Sequence, residues 1–426
     1  LAVKFVECLS CGSRRPDGMQ LVCCPGALLR SVYKSSASVR PNDGVWRFIE
    51  WLPVKFPLGM GPAPSVFKSE ALGAQLGLEN LWLSFSGYWP ERGARFMTGS
   101  FKELEAGPSV ARAKERDSAG LVLASTGNTA RAFAYYADKL DFPVLIVVPG
   151  RNAGITFPAD YAGESVTIAA VENADYGDCI RIAEELAEVV GLDREGGALS
   201  IARRDGMATV LLQAAHTMGR VPDHYFQGVG SGAGAIATWE AARRLRKRFP
   251  GGPLHLHLAQ NRPFVPMYEA WLDNRRQLAE CDFPTGDVAN EMYTTIIHNC
   301  RPAYSLKGGI YDCVTASGGS LYAVDNDEAA AANAEFEQAE GIDIMGPAAV
   351  ALGALKQALK RRDVRPDEHV LLNVTGGGLK RLAGEAEMIT PPADVRVGRC
   401  QAVDQIAEYW QDAFSGYRQR AVRKHA

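Results

Sequence analysis

The sequence contains no uninterrupted apolar run approaching the roughly 20 residues that a bilayer-spanning helix needs. Nor does it open on a charged segment followed by an apolar signal core. A cytoplasmic protein is expected. It also lacks a charge excess: Lys and Arg number 46 against 49 Asp and Glu, a formal net charge of -3. Without a broad basic field, neither nucleic acid nor an anionic membrane surface is an expected partner. The basic run Arg243-Arg244-Leu245-Arg246-Lys247-Arg248 closes a predicted helix, where cations complement exposed carbonyls. There is no internal repeat and no low-complexity tract. Nine cysteines, an odd number and mostly single, argue for reduced thiols rather than a disulfide framework.

What is present fits a globular chain with a full core: 426 residues, 47% of them hydrophobic, enough for about two or three domains. Near the N-terminus, Cys8-Leu9-Ser10-Cys11-Gly12 has the form of a zinc knuckle turn. Its partner should be another spaced pair, yet the chain offers the adjacent Cys23-Cys24, which cannot easily give two ligands with normal geometry. The knuckle reads as degenerate: a cap that keeps the turn without the metal is favoured over a bound structural zinc, which stays open, and no metal ligand is assigned. His216, His224, His255 and His257 show no metal spacing either, and core or surface roles are expected for them.

Residues 43 to 97 are rich in Gly, Pro and Trp, which predicts an ordered cover over the core. From Gly120 onward short apolar runs alternate with amphipathic stretches. Strands are predicted at Leu121 to Ala124, Val144 to Val148, Ser165 to Ala170, Tyr225 to Val229, Leu254 to Leu258 and Val370 to Val374. Helices are predicted over Thr129 to Leu140, Tyr176 to Val190, Ala235 to Leu245, Asp327 to Ala339, Ala348 to Lys360 and Ile406 to Arg423. This alternation implies parallel sheets with right-handed crossovers. The fold class is α/β, with a cap at 1-42, a large domain of 43-110 and 223-426, and a smaller domain at 111-222.

Ligands of such sheets sit beyond the carboxyl ends of the strands, so the loops between strand and helix carry the chemistry. Ser125-Thr126-Gly127-Asn128-Thr129 brings hydroxyls, amides and a helix N-terminus together, which suits a carboxylate and equally suits a well-capped helix. Gly228-Val229-Gly230-Ser231-Gly232-Ala233-Gly234 lets backbone N–H groups turn toward a phosphate, with the Ser231 hydroxyl beside them. A dinucleotide fingerprint would need an acidic residue ending the next strand. Leu254 to Leu258 leads instead into Ala259-Gln260-Asn261, so a cofactor phosphate fits better. Asn373-Val374-Thr375-Gly376-Gly377-Gly378 adds a neutral hydroxyl at the same edge. Upstream of all three stands Thr98-Gly99-Ser100-Phe101-Lys102, a glycine turn running into a lysine that opens a helix, where burial would lower the amine's pKa toward nucleophilic use.

A lysine, a carboxylate loop, a glycine loop and a late hydroxyl, in that order, resemble the fold type II family of pyridoxal-phosphate enzymes, the threonine synthase and O-acetylserine sulfhydrylase group. The resemblance implies a two-domain, tryptophan synthase β-like architecture and pyridoxal 5'-phosphate as cofactor. It makes Lys102 the Schiff-base lysine, Asn128 the partner of the cofactor ring oxygen, and Gly230, Ser231, Gly232, Ala233 and Gly234 the holders of its phosphate. Thr375 would face the pyridine nitrogen, where a neutral hydroxyl favours β-elimination over a fully delocalised carbanion. Ser125, Thr126, Gly127 and Thr129 would take the substrate carboxylate on a smaller, mobile domain.

Within that family the chain more closely resembles the cysteate synthases, which join sulfite to O-phosphoserine. Trp51-Leu52-Pro53-Val54, Phe85-Ser86-Gly87-Tyr88-Trp89-Pro90, Ser100-Phe101-Lys102-Glu103-Leu104-Glu105-Ala106 and Pro263-Phe264-Val265-Pro266 carry that likeness. Glu103-Leu104 stands where threonine synthases usually have Asp-Arg. The implied function is a β-replacement of O-phospho-L-serine by sulfite, giving L-cysteate and phosphate, in an enzyme with small-molecule substrates that forms a homo-oligomer. Leaving phosphate and incoming sulfite both need cations. Arg203 and Arg204 are the first choice, since the corresponding region of threonine synthases holds a phosphate-binding arginine, ahead of Arg95, Arg262 and Lys307. Threonine synthase, another β-replacement enzyme with a different nucleophile, or a catalytically silent cofactor-binding relative remain as alternatives.

Overall fold

Val144–Pro149 is buried at every position, which a strand tolerates only when both faces of its sheet are covered, as in a helix-flanked parallel sheet. The computed structural model describes residues 3–33, 39–40, 44–286 and 288–424. Among these, one parallel sheet runs in the order Asp193–Arg194, Leu121–Ala124, Val144–Pro149, Val166–Glu172, Val395–Gly398. A second runs Ser320–Val324, His255–Asn261, His224–Gly228, His369–Val374, Asn80–Phe85, Ser65–Lys68, parallel except for the last, edge strand. The apolar runs read from the sequence supply the inner strands of both sheets except Asn80–Phe85, an inner strand that lies within the segment 43 to 97 expected as a cover. No helix among the described residues is long and apolar enough to cross a membrane.

The helix Lys102–Lys114 is buried from Glu103 to Ala113 and packs against the helices Asn128–Leu140 and Ile201–Met218. Its close approach to the second of these needs a residue without a side chain: a Cβ on Gly206 would lie 1.9 Å from the Leu104 carbonyl oxygen. Lys102 is thereby fixed at the start of a helix wedged between the two sheets.

Two segments fall across the domain limits drawn from the sequence. The helix Ile201–Met218, placed at the end of the smaller domain, contributes Met207, Val210, Leu211 and Ala214 to the same apolar cluster as Tyr225 and Leu258 of the larger sheet. Conversely, Val395–Gly398 joins the smaller sheet, and Ile406 and Trp410 of the final helix, Ala402–Lys424, share a cluster with Val147 and Leu186. A four-residue strand so far from its neighbours in sequence leaves no periodic signal. The limit between 42 and 43 lies outside the described residues.

The N-terminal segment forms an antiparallel sheet in the order Arg14–Arg15, Val3–Cys8, Leu29–Tyr33. Here the degenerate-knuckle expectation is corrected. Sulfur atoms of Cys8, Cys11, Cys23 and Cys24 all lie within 4.8 Å of one another, so the adjacent pair does reach the spaced pair across the turn. The four histidines divide between core and surface: His224 and His257 are buried, with His224 Nδ1 2.9 Å from His257 Nε2 and His257 Nδ1 3.0 Å from the Tyr322 hydroxyl, whereas His255 is half-buried and His216 exposed.

Candidate active site

A cavity of about 750 Å³ opens where the carboxyl ends of the two sheets meet, lined among others by Lys102, Ser125, Asn128, Arg131, Ser231 and Thr375. Three loops far apart in sequence are fastened together at its floor. The Phe101 N–H donates to the Thr375 carbonyl at 2.9 Å, Gly377 N–H to Gly99 at 3.1 Å, and Met345 N–H to Gly376 at 2.9 Å. These backbone bonds hold the lysine turn and the late hydroxyl loop in one register, independent of side-chain packing.

Lys102 Nζ donates to Glu105 Oε2 at 3.2 Å, one helical turn along. Burial lowers the Lys102 pKa below that of an ordinary lysine; Glu105 opposes the shift and Arg203 adds to it. Glu105 is itself wholly buried and also takes the Arg203 guanidinium at 3.0 Å and the Thr129 hydroxyl at 3.2 Å. Arg203 in turn grips Glu195 through Nε at 2.7 Å and Nη2 at 2.5 Å. Burial alone would weaken the Arg203 charge, but Glu105 and Glu195 outweigh it and hold its pKa above the usual range. Lys102, Glu105, Arg203 and Glu195 thus form a chain of alternating charges, the arrangement in which buried charges are tolerated. Tyr176, at the head of the helix Tyr176–Val190, lines the same wall; burial pushes its phenol up to about 12.

This network changes the reading of both arginines offered as anion sites. Arg203 lines the cavity, with its guanidinium already paired to two carboxylates, Glu105 and Glu195. Arg204 points the other way: it is fully buried, bonded to the carbonyls of Ala198 and Leu29 and near Glu240. Adjacent helical residues diverge by about 100°, and only one of them can meet a given cavity. Arg95, Arg262 and Lys307 lie outside the lining, and Arg262 pairs on the surface with Glu269 at 3.7 Å.

The Ser125 hydroxyl accepts the N–H groups of Gly127 at 3.1 Å and Ala130 at 2.9 Å, so it shapes the loop that starts the helix Asn128–Leu140. Thr126, Gly127, Asn128 and Thr129 line the cavity beside it. Among the described residues the Asn128 amide donates to the Met345 thioether at 3.4 Å, a weak acceptor that leaves its donor available for a stronger one. Arg131, one turn further on, is half-buried without a carboxylate partner among the described residues. Nη1 donates to the Thr98 carbonyl at 3.3 Å, and the buried Nε has no partner. Burial lowers its pKa.

On the opposite wall Gly232 takes φ of 84° as the N-cap of the helix Ala233–Leu245, and the Ala233 N–H donates to the Ser231 hydroxyl at a long 3.4 Å. A Cβ at Gly230 would lie 3.0 Å from the Ile297 carbonyl and one at Gly232 2.6 Å from Ile310. The result is a cradle of glycine backbone around a helix start, with Ser231 at its rim. Such a site fits a phosphate monoester, because amide N–H groups and the helix dipole both favour an anion there. With a buried lysine amine, an under-used amide and a neutral Thr375 hydroxyl around the same cavity, the residues present fit pyridoxal 5'-phosphate.

Arg131 and Glu105 were not singled out from the sequence, although both had a local signal. Arg131 follows Asn128 by three residues and Glu105 follows Lys102 by three, spacings that share a helix face. Glu195 had none, since only tertiary folding carries it to Arg203.

Residues 58–376 match the family described as pyridoxal-phosphate dependent enzyme. The chain is 49% identical over 392 residues to the cysteate synthase of Methanocella paludicola, covering 90% of this chain and 91% of the relative. It is 46% identical to the cysteate synthase of Methanosarcina barkeri, covering 88% and 92%. Among solved structures, maize serine racemase superposes with a TM-score of 0.56 at 17% identity, covering 75% of this chain and 90% of that one. The processed form of threonine deaminase isoform 2 from Solanum lycopersicum gives 0.54 at 15%, covering 75% and 87%. These likenesses of fold are those of fold type II enzymes.

Proposed function

The chain belongs to the pyridoxal-phosphate-dependent enzyme family and, within it, to the cysteate synthases; from that premise we propose that it converts O-phospho-L-serine and sulfite to L-cysteate and phosphate. The observation that carries the reading is the buried Lys102 amine facing a phosphate cradle across a cavity whose walls also offer a cation without a carboxylate.

In this reading the backbone of Gly230 to Gly234 and the Ser231 hydroxyl hold the cofactor phosphate. Asn128 meets the ring oxygen, Thr375 the pyridine nitrogen, and Lys102 the carbonyl carbon. Bound there, pyridoxal 5'-phosphate supplies an electron sink that lets a proton leave the α-carbon of an amino acid and a β-substituent depart. The protein's own share is positioning and proton handling. Lys102 Nζ, whose pKa burial lowers, takes the α-proton and later returns it. Glu105 holds that amine in place and, being tied to Arg203 and Thr129, cannot swing away with it. Ser125, Thr126, Gly127 and Thr129 gather the substrate carboxylate at a helix start.

The leaving phosphate and the entering sulfite need a cation not already neutralised. Arg131 meets that requirement; Arg194 and Arg301, also on the lining, both lean on Glu184. Nine cysteines without a disulfide fit a reducing, cytoplasmic setting. The test is mass spectrometry of the product formed from O-phosphoserine and sulfite by the cofactor-loaded protein. L-cysteate with one phosphate released supports the reading, and phosphate release from O-phosphohomoserine without need of sulfite overturns it.

A further inference from the structure

The four-cysteine cluster lies outside the active site and no step above uses it. Cys11 Sγ and Cys23 Sγ are 3.8 Å apart, and all four sulfurs of Cys8, Cys11, Cys23 and Cys24 fall within 4.8 Å of one another. Tetrahedral zinc with Zn–S bonds of about 2.3 Å places its sulfurs about 3.8 Å apart, whereas a disulfide would bring two of them to about 2.05 Å. We propose that these four thiolates are a structural site for one zinc ion.

The backbone is already shaped for it. Cys8 N–H donates to Ser13 O at 3.0 Å and Gly12 N–H to Cys8 O at 2.9 Å, closing a knuckle in which Gly12 takes φ of 71°. On the other side Ala27 N–H donates to Cys24 O at 3.3 Å, turning the adjacent pair so that both sulfurs meet the first two. Left as thiols, the cluster gains only weak sulfur hydrogen bonds, such as those of Cys11 and Cys23 to the Ser13 hydroxyl. Binding replaces up to four S–H protons with four Zn–S bonds and releases those protons to solvent. The small sheet has reason to need this, since among the described residues its buried apolar cluster is Val6, Cys8, Ala27, Leu29 and Ile201, too thin a core to hold a knuckle alone.

The site also has a mechanical connection. Lys307 N–H donates to Gly26 O at 2.8 Å and Leu28 N–H to Lys307 O at 3.0 Å, while Ala303 N–H, four residues earlier, donates to Ser231 O at 2.9 Å. The knuckle therefore braces the strap that braces the phosphate cradle.

The full-length, cofactor-loaded protein, purified without chelator or added metal, should carry about one zinc per chain by elemental mass spectrometry. Cobalt(II) exchanged into it should show the ligand-field and thiolate charge-transfer bands of tetrahedral thiolate coordination. The exposed Cys11→Ser should lose most of the zinc. If that variant does not fold, wild type answers by thiol titration: four thiols should stay slow to react until a strong chelator removes the metal. A metal-free wild type with four readily titrated thiols, a disulfide among the four, or iron in place of zinc overturns the proposal. None of these readouts depends on which amino acid the enzyme makes.

Discussion

Replacing Glu105 by Gln keeps the shape of the side chain beside Lys102 and removes its charge. In the native protein the carboxylate lies 3.2 Å from Nζ; at an effective dielectric of about 20 that contact is worth roughly 5 kcal/mol before relaxation. Opposite charges this close typically move a pKa by about 1–3 units. Glu105 is the main influence opposing burial of the Lys102 ammonium, while Arg203 works with burial. Removing it leaves Arg203 facing the amine without their shared anion, so the Lys102 pKa should fall by about 1–3 units. Only the neutral amine can capture the cofactor, so the rate at which cofactor-free protein takes up pyridoxal 5'-phosphate, followed by absorbance, should rise with pH through the Lys102 pKa. In Glu105→Gln that profile should shift to lower pH by the same amount. A profile that stays in place or moves upward refutes the assignment of Glu105 as the group that holds the ammonium.

Arg131→Met should raise KM for O-phosphoserine or sulfite by about 10- to 150-fold, the loss of one charge-assisted hydrogen bond; steady-state kinetics check this, Arg131→Lys should recover part of it, and unchanged constants remove Arg131 from the anion site. Gly232→Ala puts a Cβ against Ile310 at φ of 84°, a left-handed conformation that costs about 1–2 kcal/mol; equilibrium binding should show weaker cofactor affinity, and unaltered binding would count against the cradle. Burial pushes Glu103 up to about 8 despite the 2.6 Å hydrogen bond from Thr98 N–H. The folded carboxyl therefore keeps its proton where the unfolded one has lost it. Its contribution is fully present below the ordinary carboxylate pKa and is lost as pH rises to about 8, on the order of 5 kcal/mol in all. Denaturant midpoints measured between about pH 6 and about pH 9 should drop less for Glu103→Gln than for wild type; equal slopes contradict the raised pKa.

The sequence by itself determined the strands and the loops that bear the site. Val144 to Val148 can only be a doubly covered strand, and the glycines of 228–234 can only follow one and open a helix. A lysine beginning a helix, a hydroxyl-rich loop and a late threonine are local chemistry and stay legible without coordinates. What tertiary structure decided is which charges are free. Arg203 and Arg204 look equivalent in sequence, yet Glu195 neutralises one and the other turns away among backbone carbonyls. Arg131 becomes the anion candidate because no carboxylate among the described residues folds next to it. The adjacent Cys23 and Cys24 looked unable to complete a metal site, and a turn that no spacing rule describes brings them to Cys8 and Cys11. Propensity and pattern act over a few residues and fix elements and loops; pairing of buried charges and convergence of ligands depend on where distant segments come to rest.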